Sequence, residues 1–151
     1  MYICTQNENK STKHMYKQLL TALLCPVAIS ALGQKPWKMT LTCYEEKINL
    51  VMNLYEENIE VPGMEMFGPM NGYLGGNIYG VWSITSFKIE DDRNVSLRVS
   101  NDSGSETQAI KITQQNDSIW KMEFTGHNVI KRVNGKKLVK IPSVFLMKKK
   151  E

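Results

Sequence analysis

Few residues in this chain can crosslink it or hold a metal, because its 151 residues include three cysteines and two histidines. The sequence has no run of about 18 or more apolar residues, which is the length that crosses a bilayer as a helix. We therefore predict no transmembrane segment in the mature chain. Helical periodicity is missing after residue 33. A hydrophobic fraction of 42% supports one core, and the length is too short for two comfortable domains.

The N-terminal third of the sequence is typical of an export signal. Three lysines precede an apolar run from Leu19 to Leu32, which ends in the small-x-small sequence Ala31-Leu32-Gly33. We predict a leader and secretory signal helix over 1–33, with cleavage before Gln34 and a single domain over 34–151. Met15 is a candidate start, since signal peptides rarely carry a long polar leader. The expected location is secreted or periplasmic.

Cysteine placement limits how the mature domain is stabilised. Cys4 and Cys25 lie in the predicted leader, which leaves Cys43 as the one cysteine of the mature chain. No internal disulfide is then available. Cys43 continues the apolar face that Trp37 and Leu41 begin, so we expect the thiol to be buried.

Alternation of apolar and polar residues dominates the mature chain and predicts consecutive strands. In the run 78–89 it places Trp82 and Ile84 on one face, and Phe87 and Ile89 on the other. Asn134-Gly135 between two such runs is a strong signal for a two-residue hairpin. The runs cover 37–43, 48–54, 78–89, 95–99, 110–112, 120–124, 129–133, 136–141 and 144–147. We predict an all-β fold of about eight strands. An up-and-down antiparallel barrel hides its edges best, and a two-sheet sandwich is the alternative.

One connection is much longer than the others and runs from residue 56 to residue 77. It holds five glycines, two prolines and three methionines. A loop of this length in a small β domain is usually functional or mobile. We interpret it as a lid that closes one end of the barrel with Met66, Phe67 and Tyr73. A plug or an edge cover that serves packing alone is the equal alternative.

The signal peptide, the small all-β body, the long loop before the third predicted strand and the start at Gln34 resemble small secreted lipocalin-like (calycin-type) proteins of Bacteroidetes. The resemblance implies the barrel architecture. It carries over no binding residue, because Lys35-Pro36 precedes Trp37 where lipocalins have Gly-x-Trp. It also makes Asp117-Ser118-Ile119 look like the O-glycosylation sequence of that group, which is compatible with a hairpin turn.

Catalytic and metal chemistry find little support. The mature chain has one histidine, His127, in a predicted turn, so a Cys43–His127 dyad is disfavoured and a zinc site cannot be assembled. Paired acids fall in predicted turns. Methionines at 64, 66 and 70 suit Cu(I), but methionine more often fills gaps in cores and lids. Basic clusters at 131–140 and 148–150 lack interleaved aromatics, which disfavours nucleic acid. We predict no enzyme, no cofactor and no metal.

The best interpretation is a binding protein that holds a small apolar or amphipathic ligand inside the barrel. The candidate ligand-binding residues come from the strands and from the lid. They are Trp82, Trp120, Met122, Phe124, Met66, Phe67 and Tyr73. The alternative is a protein-interaction module, either a surface accessory or an inhibitor. A filled barrel with an ordered, exposed loop favours the alternative, and an empty cavity under a closed loop favours the ligand.

Overall fold

The computed structural model describes residues 36–150, which belong to one compact unit. The predicted leader, its signal helix and the cleavage site before Gln34 lie outside the described residues, as do the cysteines at positions 4 and 25. Among the described residues there are ten strands and one short 3-10 turn, Glu65–Phe67. No helix in this part of the chain is long and apolar enough to span a membrane.

The strands follow the predicted alternation closely. They are β1 Lys38–Cys43, β2 Ile48–Asn53, β3 Gly72–Gly76, β4 Trp82–Ile89, β5 Asn94–Asn101, β6 Thr107–Gln114, β7 Ile119–Thr125, β8 Lys131–Asn134, β9 Lys137–Lys140 and β10 Val144–Lys150. Eight of them close a barrel in the order β1-β10-β7-β6-β5-β4-β3-β2, and every neighbouring pair is antiparallel. The predicted eight-stranded barrel is therefore confirmed, and the sandwich alternative is not formed.

The prediction that residues 56–77 form one loop is wrong at its C-terminal end. Gly72–Gly76 form β3, which pairs with β2 along its length and with β4 at two positions. Gly72 and Gly76 have φ angles of 147° and 106°, and a Cβ on either would overlap a backbone carbonyl oxygen of the β2 side, at Val51 and Lys47. Pairing at this distance needs glycine. The long connection is therefore 54–71.

The predicted hairpin around Asn134-Gly135 is present, but it does not belong to the barrel wall. β8 and β9 pair only with each other. β10 pairs directly with β7, from Val144 opposite Glu123 to Lys148 opposite Ile119, so the edge of β7 is already taken. The barrel still has eight strands, because β3 is part of its wall and the two strands of this hairpin are not.

The face assignment predicted for the second half of β4 is also wrong. The β4–β5 register shifts between Ile84 and Ser86, and an irregularity of this kind exchanges the faces of the residues that follow. Phe87 then lies opposite Leu97, and Ile89 lies opposite Val95, whose side chains are buried. Phe87 and Ile89 stay 38% exposed, because β4 has no β3 partner beyond Ser83.

A single apolar cluster fills the barrel and draws residues from all eight of its strands. Cys43 belongs to it and is buried and free, as predicted. Ile130 and Ile141, which flank the β8–β9 hairpin, belong to it as well. The backbone N–H of Ile141 donates to the carbonyl of Ile130 at 3.3 Å, and the Asn128 amide donates to the carbonyl of Ile141 at 2.8 Å. These contacts fix the base of the hairpin to the barrel.

The strand directions define two ends. The turns at 44–47, 77–81 and 102–106 and the segment 126–143 lie at one end, which we call the hairpin end. The connection 54–71 and the turns at 90–93 and 115–118 lie at the other, which we call the loop end. Each end thus carries one long segment, 126–143 at the hairpin end and 54–71 at the loop end.

Candidate functional site

The barrel strands bring together the four candidate ligand-binding residues predicted on them, and all four belong to a packed interior. Trp82, Trp120, Met122 and Phe124 are each at most 4% exposed. The Phe124 ring meets the Phe145 ring edge-on with centroids 5.7 Å apart. None of the four lines either of the two clefts described below. Their described surroundings are those of core residues.

Two buried indole groups at the loop end have no hydrogen-bond acceptor among the described residues. They are the Nε1 atoms of Trp37, just before β1, and Trp120, near the start of β7. The two rings meet edge-on, with centroids 5.5 Å apart and planes at 70°. A buried donor without a partner costs about 1–3 kcal/mol. An acceptor delivered to these N–H groups would therefore be stabilised.

The predicted lid residues do not reach the interior. Met66 is 87% exposed and Phe67 is 62% exposed, both on the 3-10 turn. Val61 and Met64 of the same connection are buried, but outside the main apolar cluster. Tyr73 lies in β3 and is half-buried. The connection thus carries a small apolar centre of its own and presents two large apolar side chains to solvent.

Hydrogen bonds hold this connection in one ordered shape. Ile59 and Met70 exchange backbone hydrogen bonds of 3.0 and 2.8 Å, which close its base. The Glu65 carboxylate accepts from the backbone N–H of Gly63 at 2.9 Å. Hydrogen bonds from the backbone N–H of Glu65 itself and from that of Gly63 lower the pKa of Glu65. A small cleft of about 120 Å³ lies between Glu60, Glu65, Gly68 and Pro69.

The largest described cleft lies where the barrel closes. β1 and β10 pair only between Thr40–Thr42 and Lys148–Lys150, so the two strands separate toward the hairpin end. A cleft of about 450 Å³ opens between them, which we call the seam cleft. It is lined by the end of β1, the turn after it and the first part of β10. The lining residues are Thr42, Cys43, Tyr44, Glu45, Glu46, Ile119, Pro142, Val144, Phe145, Leu146, Met147 and Lys148.

The seam cleft has a buried floor and exposed apolar walls. Phe145 and Met147 are at most 3% exposed and join the barrel core. Tyr44 and Leu146 are 65% and 64% exposed, and Val144 is 47% exposed. Successive residues of a strand point to opposite faces, so β10 places Phe145 and Met147 inside while Val144 and Leu146 face outward. Exposed apolar side chains beside a concave surface are typical of a binding surface.

The backbone of β10 also faces this cleft. The carbonyl of Ser143 accepts from the N–H of Phe124 on β7 at 2.8 Å. Hydrogen-bonded and non-hydrogen-bonded residues alternate along an antiparallel strand, so Val144 and Leu146 direct their N–H and C=O groups away from β7. On that side the β1 pairing has already ended at Thr42 opposite Lys148. A short stretch of open strand edge therefore borders the cleft.

Charged groups mark the two ends of the seam cleft. At the hairpin end, Arg132 of β8 forms an ion pair and hydrogen bond with the Glu46 carboxylate. At the opposite end stands Lys148, whose side chain is exposed and whose backbone pairs opposite Thr42 in the last β1–β10 rung. Between these charges most of the lining residues are apolar, and Thr42 and Glu45 are the other polar ones. An occupant with apolar groups in its middle matches it best.

One feature of the sequence indicated this site but was not considered when strands were predicted from alternation. Val144-Phe145-Leu146-Met147 is a run of four apolar residues in a strand. Both of its faces are therefore apolar, whereas a barrel wall needs only the inner face to be so. Tyr44 lies between two predicted strands and carried no such signal.

The residues weighed for chemistry lie in different settings. Cys43 is at the buried floor of the seam cleft, and His127 is exposed in the segment after β7. Met64 is buried, while Met66 is exposed. Over residues 36–150, no three side chains of the His, Cys, Asp and Glu types come together as a metal site would require.

Comparison with protein families, with curated proteins and with solved structures finds no match to the chain. What the fold and the site define is a closed eight-stranded antiparallel β-barrel with a filled interior and a cleft at its closing seam. A barrel of this kind is compatible with a binding role.

Proposed function

We propose that this protein is an exported, non-enzymatic binding protein of the lipocalin-like type, and that it binds an extended segment of a partner protein in the seam cleft. The observation that carries the proposal is the open edge of β10 at Val144 and Leu146, set between exposed apolar side chains. The filled interior and the exposed, ordered connection 54–71 support a protein partner over a small internal ligand.

An added strand would pair with the open edge of β10 that borders the seam cleft. The N–H and C=O groups of Val144 and Leu146 can pair with the backbone of an incoming segment, which provides affinity without sequence preference. The side chains of Tyr44 and Leu146 then contact alternate residues of that segment and provide specificity. The apolar middle favours valine, isoleucine, leucine or aromatic residues at those alternate positions.

The export part of the proposal rests on the sequence. The basic residues, the apolar run and the small-residue exit before Gln34 are the pattern of a cleaved signal peptide. The kinship to small secreted Bacteroidetes proteins is likewise part of the proposal and rests on the likeness of pattern. Secreted or periplasmic binding proteins meet their partners outside the cytoplasm, where an extended segment of another exported protein is available.

Binding of a small ligand inside the barrel is the second candidate, and one observation favours it. The Nε1 groups of Trp37 and Trp120 are buried donors without acceptors in the described part of the chain. A ligand with a carbonyl or carboxylate could satisfy them if the methionine-rich core moved aside, since methionine side chains rearrange readily. Met122 and Met147 are fully buried in that core.

Peptide display tests the first candidate. The mature protein from Gln34 is panned against a library of random extended peptides, and enriched peptides are measured by fluorescence polarisation. Leu146→Lys places a charge at the open edge and is expected to weaken binding at least about tenfold. Met66→Lys is the matched control, since Met66 is exposed on the connection 54–71, and it is expected to bind like the wild type.

The outcomes separate the two candidates. Loss of binding in Met66→Lys and not in Leu146→Lys would move the site to the connection 54–71. No enriched peptide, together with an added mass in native mass spectrometry that disappears on denaturation, would establish the internal ligand instead. A bare monomer mass with Leu146-dependent peptide binding is the result expected for the seam cleft.

A further inference from the structure

The β8–β9 hairpin has two different faces, and only one of them contacts the barrel. The register places Arg132 opposite Val139 and Val133 opposite Leu138. Arg132 pairs with Glu46 on the turn after β1, which directs its face toward the barrel. Val133 and Leu138 are on the other face and are 58% and 48% exposed. The hairpin thus presents a cross-strand apolar pair to solvent.

Basic residues surround this apolar pair. Lys131 and Lys140 share its face, two register positions closer to the barrel. Lys136 and Lys137 stand at the tip beside Gly135 and are exposed. Residues 131–140 contain no acidic residue, and Arg132 is the one basic group among them with an ion pair recorded in the described part of the chain. Lys131 and Lys140 therefore share the face of the apolar pair, and Lys136 and Lys137 add positive charge at the tip of the hairpin.

The position of the hairpin is fixed. Ile130 and Ile141 anchor its base in the core, and the carbonyl of Lys131 accepts from the N–H of Tyr79 at 2.7 Å. Tyr79 itself is 60% exposed, so the turn between β3 and β4 adds an exposed aromatic side chain beside the hairpin. Neither described cleft includes a hairpin residue. The surface is therefore held in place, with its apolar pair exposed.

We propose that this surface, made of the β8–β9 hairpin and Tyr79, docks the protein onto an anionic lipid surface. Lysines at the edge of an apolar pair keep their ammonium groups among lipid headgroups while their stems and the pair enter the interface. Tyrosine is favoured at the same depth, because its ring is apolar and its hydroxyl is polar. An exposed apolar pair with lysines beside it and at the hairpin tip matches a negatively charged plane in charge. The proposal is independent of the seam cleft.

Vesicle flotation tests it with purified mature protein and lipid of known composition. Vesicles of phosphatidylcholine alone are compared with vesicles that contain about 30% phosphatidylglycerol, at low and at physiological salt. We expect flotation with the anionic vesicles only, reduced as salt rises. Lys136→Gln with Lys137→Gln is expected to weaken partitioning about 10- to 30-fold, since each lysine near an anionic surface contributes a factor of about five.

Two further variants keep the test decisive. Lys149→Gln with Lys150→Gln removes the same charge at the end of β10 and is expected to float like the wild type. Val133→Ser with Leu138→Ser removes the apolar pair at half-exposed positions and is expected to weaken flotation while the protein stays folded, which the unfolding midpoint checks. The proposal is overturned by equal flotation with neutral vesicles, by equal loss in the β10 control, or by salt-sensitive binding of polyglutamate without flotation.

Discussion

Phe145 and Leu146 are neighbours on β10, and truncating them should have opposite consequences for stability and for binding. Phe145 is 3% exposed and packs edge-on against Phe124, whereas Leu146 is 64% exposed on the wall of the seam cleft. Phe145→Ala removes a buried aromatic ring from a packed core, which costs about 3–5 kcal/mol of unfolding free energy. The lost ring–ring contact accounts for about 0.5–1.5 kcal/mol of that amount.

Leu146→Ala should cost far less. Full burial of a leucine side chain stabilises a protein by about 1.5–3 kcal/mol, and Leu146 buries roughly a third of its surface. The expected loss is therefore about 0.5–1 kcal/mol. Peptide binding should follow the reverse order, with Leu146→Ala weakening it several-fold. Phe145→Ala should weaken it less wherever the variant stays folded, because Phe145 lies at the buried floor of the cleft and not on its exposed wall.

Urea unfolding monitored by tryptophan fluorescence measures both variants, and comparison of midpoints requires that the slope with urea be unchanged. Met66→Ala is a useful third variant, because Met66 is 87% exposed away from the seam and should lose less than about 0.5 kcal/mol. Equal losses for Phe145→Ala and Leu146→Ala would refute the assignment of their faces. A loss below about 1 kcal/mol for Phe145→Ala would refute the filled interior.

Four further results are expected. Ser96→Ala should raise the pKa of Glu90 toward its ordinary value, because the Ser96 hydroxyl hydrogen bond is the main cause that lowers it; carboxylate titration by NMR measures this, and an unchanged pKa would contradict it. The wild-type stability that Glu90 contributes should be present above its ordinary pKa and lost as pH falls through the lower folded value, with the opposite pH trend as the contrary result. Gly72→Ala should destabilise the protein far more than Gly135→Ala. Gly135 has a φ of 62° but open space around it, so its substitution should cost about 1–2 kcal/mol. Similar thermal midpoints for the two variants would argue against the close β2–β3 approach. Glu46→Gln should cost no more than about 1 kcal/mol, since the pair with its arginine is partly exposed, and a larger loss would mean that it holds the hairpin in place.

The sequence predicts the barrel well because alternation reports directly on a wall with one buried face. β5 and β6 are clear cases, with Val95 opposite Ile112 and Leu97 opposite Ile110, all buried. β3 escapes the same reasoning, since Gly-Tyr-Leu-Gly-Gly has almost no strand propensity and is a strand only because β2 approaches it. A local sequence pattern does not reveal which strands pair in the folded protein.

The β8–β9 hairpin and the register shift in β4 are two further features that the sequence does not predict fully. Asn134-Gly135 specifies a turn, but nothing local says whether its strands join the wall, which depends on β10 pairing with β7. The register shift after Ile84 moves both Phe87 and Ile89 to the opposite face of the sheet. The sequence there contains no glycine or proline that would signal it. The sequence located inward aromatic residues of the core, but none of those predicted as ligand-binding lines the seam cleft. The cleft results from where two strands distant in the chain cease to pair.

The closing seam also determines how the protein can assemble. Its rungs join residues 40–42 to residues 148–150, so the first and last described strands must meet before any rung forms. Contacts between such distant parts of a chain form late and slow folding. Until they form, the sheet has two open edges, at β1 and at β10, and open edges invite pairing between molecules. Assembly of this barrel is therefore most vulnerable at its last step, and a chaperone that shields β1 or β10 would protect it there.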